Sequence, residues 1–312
     1  MGKLLLLLCA ILSYPVRASC PAVYFTPHQA VDQLILKTVG KARHKIYLAC
    51  YDFSWEPLQD LLLQLKKKNV QVQILVENLS PNFPEELVPS VKTDFSPFLF
   101  HAKFITVDGR YLLTGSLNFS SDSLFLNHNN ILVFDDPQLT NTFEKRFQAW
   151  YQDKPGPAFY QKGNITAAFS PDFDCETAIC NTLEHARQTI HFLQFEFTSR
   201  PVAEILVKKS LTGCQVFGLM EATTAGDFSV FPFLFDLGVN IKRTLLAGLL
   251  HDKSFIVDGR TVITGSYNPT ASARKNKECL LIIQDENLAR NLIREWKRLW
   301  RWKSLPEQPI FP

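Results

Sequence analysis

The 312-residue sequence holds no apolar run of bilayer length. Its stretch from Leu4 to Leu12 falls well short of the ~20 residues that a membrane-spanning helix needs. It has no closely spaced cysteine pair of the zinc-binding kind; Cys175 and Cys180 do not match that spacing. No metal centre and no definite disulfide are assigned. Net charge is low, +3, so bulk charge does not advertise a polyanionic partner. Low-complexity segments are missing too. With 46% hydrophobic and 20% charged residues, the chain reads as globular rather than disordered. What is abundant is phenylalanine, with 25 copies, read first as extra core and second as a surface for an apolar substrate.

The opening residues form a three-part leader. Lys3 supplies positive charge, Leu4 to Leu12 an apolar stretch, and Val16 and Ala18 small residues before a cleavage point. That is the pattern of a secretory signal peptide over residues 1–18. Its loss removes Lys3 and Arg17 and takes the net charge from +3 to +1. The expected location is secreted or periplasmic. Cys20 offers a variant, lipid attachment after cleavage, which the nearby Arg17 disfavours. Export would permit disulfides. Cys50, Cys214 and Cys279, however, lie in strand-like apolar runs, where a buried thiol is the ordinary outcome.

Beyond the leader, the chain is written twice. "KIYLACYDFS" (45–54) matches "TIHFLQFEFT" (189–198), and "VQVQILVE" (70–77) matches "CQVFGLME" (214–221). "HAKFITVDGRYLLTGSLNFS" (101–120) matches "HDKSFIVDGRTVITGSYNPT" (251–270). "NNILVF" (129–134) aligns with "KECLLI" (277–282), and residues 139–151 align with 288–300. Each copy alternates β-rich runs with amphipathic helical stretches, which predicts an α/β layered fold in two similar halves. The Pro- and Gly-bearing stretch 153–164 places the boundary, giving domains over 19–156 and 157–312. "REWKRLWRW" (294–302) is basic and Trp-rich, yet Leu292, Trp296 and Trp300 recur every four residues. Phe143, Phe147 and Tyr151 do the same in the first copy, so both closing helices are expected to face a core.

The longest match carries the chemistry. Asp108-Gly109 predicts a two-residue hairpin turn, which pairs Val107 with Arg110, Lys103 with Thr114 and His101 with Ser116. Paired residues share a face, so His101, Lys103, Ser116 and Asn118 project together, as do His251, Lys253, Ser266 and Asn268. Lysine supplies charge, while serine and asparagine donate hydrogen bonds; together they suit a phosphate. Gly115 and Gly265 are read as letting the backbone approach a bound group. Asp108 and Asp258 sit at the turns and read first as scaffold.

His-x-Lys-x4-Asp-x6-Gly-Ser-x-Asn, present twice, resembles the HKD signature of the phospholipase D superfamily. The resemblance covers the whole chain after the leader. It implies two α/β/α sandwich halves with mixed sheets about a pseudo-twofold axis, both signatures facing one cleft. It further implies a phosphohistidine mechanism without metal or other cofactor: one histidine attacks phosphorus and the other protonates the departing oxygen. The family usually assigns attack to the first-half histidine, hence His101 as nucleophile and His251 as general acid and base. Lys103, Lys253, Asn118 and Asn268 would stabilise the phosphoryl oxygens. Members of the superfamily commonly place an acidic residue downstream to orient a histidine; Glu278 has that spacing, with Asn130 as its first-half counterpart. On that reading Glu278 would favour a charged His251. Asp52 with Glu196, and Glu77 with Glu221, occupy matching strand ends and read as structural pairs before supports for the lysines.

The substrate expected is a phospholipid, cleaved by an exported phospholipase D to phosphatidic acid and a free headgroup, with association at a membrane surface. A nucleic-acid phosphodiesterase is the first alternative. Phosphatidyl transfer of the cardiolipin synthase kind is the second. Because one chain carries both patches, a monomer suffices.

Overall fold

The computed structural model describes residues 21–79, 83–224, 226, 228–244 and 246–302; the leader expected over 1–18, and Cys20, lie outside them. The first half runs β1 (Ala22–Phe25), α1 (Val31–Val39), β2 (Lys45–Phe53), α2 (Glu56–Lys67), β3 (Gln71–Leu79), a 3-10 turn, β4 (Val91–Thr93), β5 (Phe104–Val107), β6 (Tyr111–Gly115), α3 (Ser121–Phe125), β7 (Asn130–Asp135) and α4 (Pro137–Tyr151). The second runs β8 (Phe159–Lys162), β9 (Ile165–Ser170), α5 (Cys175–Glu184), β10 (Thr189–Gln194), α6 (Arg200–Leu211), β11 (Gln215–Glu221), α7 (Phe231–Asp236), β12 (Asn240–Thr244), β13 (Lys253–Val257), β14 (Thr261–Gly265), β15 (Glu278–Gln284) and α8 (Glu286–Trp300).

Each half builds one mixed sheet. The first has the order β1-β7-β6-β5-β2-β3-β4, and the second β9-β15-β14-β13-β10-β11-β12 with β8 added at its edge. β2, β3 and β4 are parallel, as are β10, β11 and β12. The remaining pairs are antiparallel. Outer helices bury one face of each sheet: α1 and α2 in the first half, α5, α6 and α7 in the second. The inner faces share a core with α4 and α8. Phe143, Phe147 and Trp150 of α4 meet Phe104 of their own sheet, and Phe143 and Trp150 also meet Phe169 of the other. Leu292 and Trp296 of α8 are buried as their spacing predicts. Much of the phenylalanine is therefore core. Asp136 and Asp285 start these two helices by accepting amide hydrogens of the first turn. The sequence pattern did not reveal β1 or β9. Both are short, and Ala167 and Ala168 of β9 give weak apolar contrast.

The turn aspartates act as clamps. Asp108 and Asp258 adopt positive φ of 53° and 51° ahead of Gly109 and Gly259. The Asp108 carboxylate accepts the amides of Arg43, His44 and Lys45 at 2.8–2.9 Å. Asp258 accepts those of Arg187, Gln188 and Thr189 at 2.8–2.9 Å. Each hairpin tip is thereby tied to the start of β2 or β10. Partial burial works to raise both carboxyls, but the three amides outweigh it and hold them below the usual aspartate range. The folded pKa is depressed, so this stabilisation is full above the unfolded value and is lost as pH falls through the folded one. Asp108→Ala is expected to lower the unfolding free energy by about 1–2 kcal/mol at neutral pH, less in acid. Urea titration at several pH values measures this, and turnover well below the melting point should not change.

Candidate active site

The site begins where the hairpin ends. The turn closes as expected, with Arg110 N donating to Val107 O at 3.0 Å. The ladder then resumes one residue late. Val107 faces Tyr111 and Phe104 faces Thr114, with Arg110 as the extra residue. Val257 likewise faces Thr261. The expected pairings of Lys103 with Thr114 and of His101 with Ser116 are therefore not formed. The histidines are held by the opposite half instead.

Four reciprocal contacts make the exchange. His101 N donates to Lys277 O at 2.9 Å, and His251 N donates to His128 O at 2.9 Å. Leu99 N donates to Asn276 Oδ1, and Leu249 N to Asn127 Oδ1. The mates are counterparts in the duplicated sequence, which is the signature of a twofold relation. Glu77 and Glu221 anchor the same segments by accepting the amides of Phe100 and Leu250, each at 2.7 Å. The structural-pair reading of these two holds.

The imidazoles are also oriented across the halves. His101 Nδ1 lies 2.9 Å from both carboxylate oxygens of Glu278. His251 Nδ1 lies 2.9 Å from Asn129 Oδ1. Two corrections follow. Glu278 serves His101, not His251, because the strand ends cross over. Its counterpart is Asn129, not Asn130: Gly115 faces Ile131 and Gly265 faces Leu280, an offset of 149 on these strands. Asn130 Nδ2 instead lies 2.9–3.2 Å from Asp252, Ser254 and Thr264, which share its two hydrogens in a buried network between the halves.

Ser116 and Ser266 do not reach the cleft. Ser116 Oγ donates to Asn129 Oδ1 at 3.0 Å and Ser266 Oγ to Glu278 Oε2 at 2.6 Å, so each braces the group that orients a histidine. Gly115 and Gly265 also have a different reason from the one expected. An added Cβ would lie 2.4 Å from Asn130 O, or 2.3 Å from Cys279 O, so each glycine admits the neighbouring strand rather than a ligand. Asp108 and Asp258 stay at the distal turns.

One cleft of about 510 Å³ collects the rest. His101, His251, Asn118, Asn268 and Glu278 line it, with Tyr51, Asp52, Phe195 and Glu196. Tyr51 stands edge-on to His101 at 5.3 Å, and Phe195 lies 4.6 Å from His251. Lys103 and Lys253 are buried beneath, donating to His101 O and His251 O at 2.7 and 2.6 Å. An ammonium has three donors, so two remain on each lysine. Burial pushes both lysines down, most strongly Lys253, while Glu278 opposes the fall on both. Asp52 opposes it at Lys103, and Asp252 and Glu196 at Lys253. Asp52, near the end of β2, and Glu196, just beyond β10, thus support the lysines electrostatically.

Burial also pushes both histidines down. At His101, Glu278 opposes it; at His251, Lys253, Lys103 and His101 deepen it. With Nδ1–H donating to Glu278 or Asn129, each neutral ring leaves Nε2 unprotonated. Such a pair can attack an electrophile on one side and hand over or accept a proton on the other. Among the described residues no three His, Cys, Asp or Glu groups converge as metal ligands. Sequence reasoning missed Asn129, Asp252 and the two aromatic walls. Asn129 was within reach, since a one-residue change in aligning the last strand finds it.

A family model described as "Cardiolipin synthase, PLD-like domain" matches the chain twice, over residues 35–151 and 179–300. The phospholipase D of Rickettsia felis is 26% identical over 137 residues, 43% of this chain and 68% of that protein. The mitochondrial cardiolipin hydrolase of Xenopus laevis is 31% identical over 159 residues, 48% of this chain and 73% of that protein. Each of these matches spans less than half of the chain. Among solved structures, the phosphatidylserine synthase of Haemophilus influenzae superposes on 91% of this chain and 87% of its own, with a TM-score of 0.68. At 11% identity that likeness speaks to fold alone.

The crossed pairing has a direct test. Glu278 holds up the His101 pKa, so Glu278→Gln should lower it further and leave His251 less affected. Histidine-selective NMR titration reads both rings. A larger downward shift at His251 would contradict the pairing.

Proposed function

The chain belongs to the phospholipase D-like family and is a hydrolase of the phosphodiesterase type; from that membership we propose that it is an exported phospholipase D acting on phospholipid headgroups. The observation that carries the reading is the single cleft with one imidazole from each half. His101 Nε2 attacks phosphorus, forming an N–P bond as the bond to the headgroup oxygen breaks. His251, protonated once the anionic diester has entered, gives its proton to that oxygen. Neutral His251 then takes a proton from water, whose oxygen displaces His101 and releases phosphatidic acid. Lys103 and Lys253 offset charge on the phosphoryl oxygens, with Asn118 and Asn268 alongside.

The crossed pairing supports these roles better than the uncrossed one. Phosphorylation turns His101 into a cation, and the Glu278 carboxylate neutralises it. Asn129 orients His251 without adding charge, so protonated His251 remains a strong acid. A lipid headgroup is favoured because the cleft is lined by Asp52, Asp122, Glu196 and Glu278, with no lysine or arginine among its lining residues. A polynucleotide groove tracks the backbone with basic side chains.

The purified protein, with EDTA present, should release headgroup from phosphatidylcholine vesicles and leave plasmid and single-stranded DNA intact. DNA cleavage without headgroup release would overturn the lipid reading. His101→Asn and His251→Asn should each lower turnover by about 10²–10⁴-fold or more. With a p-nitrophenyl diester, whose leaving group needs no proton, His251→Asn should accumulate a phosphoryl adduct on His101. Peptide mass spectrometry locates it, and an adduct on another residue would refute His101 as nucleophile.

A further inference from the structure

Half of the large apolar side chains exposed among the described residues sit on three segments beside the cleft. The first loop carries Phe95, 91% exposed, with Phe98 and Leu99. Leu99 lines the cleft itself. The loop has a fixed shape: Ser96 Oγ donates to the Asp94 carboxylate at 2.5 Å and sits 2.8 Å from Phe98 O, and Asp94 pairs with Lys277 of the other half at 2.5 Å. The second is the end of α3, whose Ser121–Ser123 line the cleft, and the turn after it; it exposes Phe125 and Leu126, each 51%. The third exposes Phe228 at 86%. Thr224 ties that loop to the carbonyl of Phe195, a residue of the cleft wall.

Scattered apolar side chains on a surface need no explanation. Large aromatic ones gathered around a polar cleft do, because none of the described residues covers them. Lys275 lies 5.3 Å from the Phe98 ring, so the rim pairs an aromatic with a cation. Aromatic rings flanked by basic side chains suit the headgroup level of a bilayer with anionic lipid. The floor is polar and would take the phosphodiester, while the rim is apolar and would take the acyl region beside it.

We propose that this rim is a lipid-docking surface, in which Phe95, Phe98, Phe125, Leu126 and Phe228 enter the bilayer interface and set the cleft over a headgroup. The inference rests on the lipid reading of the site. Insertion of the rim holds the enzyme at the surface through successive substrates, with Lys275 adding attraction to anionic lipid.

The test uses the full chain, vesicles of phosphatidylcholine with and without phosphatidylglycerol, and the soluble probe bis(p-nitrophenyl) phosphate. The paired variants Phe95→Ser/Phe98→Ser and Phe125→Ser/Leu126→Ser should each weaken co-sedimentation with vesicles by about 10-fold or more. Vesicle hydrolysis should fall with binding, while turnover of the soluble probe and the melting temperature stay as in the wild type. Lys275→Ser should reduce the gain from phosphatidylglycerol. Wild-type protein that does not sediment with either vesicle, or paired variants that bind and hydrolyse vesicles normally, overturns the proposal. So does a wild-type dimer that the variants dissociate without any vesicle binding, since the rim then joins two copies. Vesicle binding that depends on the rim, with turnover of the soluble probe but not of phospholipid, retains docking and rejects the lipid as substrate.

Discussion

The exchange of backbone hydrogen bonds between the halves, His101 to Lys277 and His251 to His128, is the constraint on which the site depends. Each histidine is carried by one half, and its main chain is fixed by the other. Its ring is oriented by a group from the other half as well, Glu278 or Asn129. Neither half alone holds a complete imidazole site. The duplication is thus a division of labour within one cleft, and the shared core of α4, α8 and both inner sheet faces keeps the two contributions in register.

The twofold relation is broken where chemistry requires it. Glu278 answers to Asn129, so of the two cleft histidines only His101 is held by a carboxylate. Behind the histidines, Asp252 and Ser254 stand where the first half has Ala102 and Phe104. Asp252 is fully buried and its carboxyl is pushed up by that burial to about 6, although Ser254 and Asn130 hydrogen-bond to it. It lies between His251 and Lys253 and offsets part of the lysine's charge. On the first-half side that compensation comes from Glu278 and Asp52. Two ammonium groups out of water would be costly without such partners. Held there, they offer fixed charge to an incoming phosphodiester, which is what a preorganised site supplies.

Much of this was legible in the sequence. The repeated His-x-Lys, Gly-Ser-x-Asn and flanking strands gave the duplication, the α/β class, the two histidines and lysines, and the core-facing closing helices, because these follow from spacing along one chain. The errors lay in register and in contacts between strands. Hairpin pairing from an ideal turn was displaced by one residue, since Arg110 and Arg260 are extra in the ladder. The roles given to Ser116, Ser266, Gly115 and Gly265 shifted from ligand to neighbouring strand, because close strand packing is not encoded in residue type.

Residue order alone therefore determined which side chains could handle a phosphate, and that there would be two sets of them. Only the tertiary structure decided which carboxylate serves which histidine. That choice depends on two strand ends crossing a pseudo-twofold axis, a relation between residues some 177 positions apart that no local periodicity records.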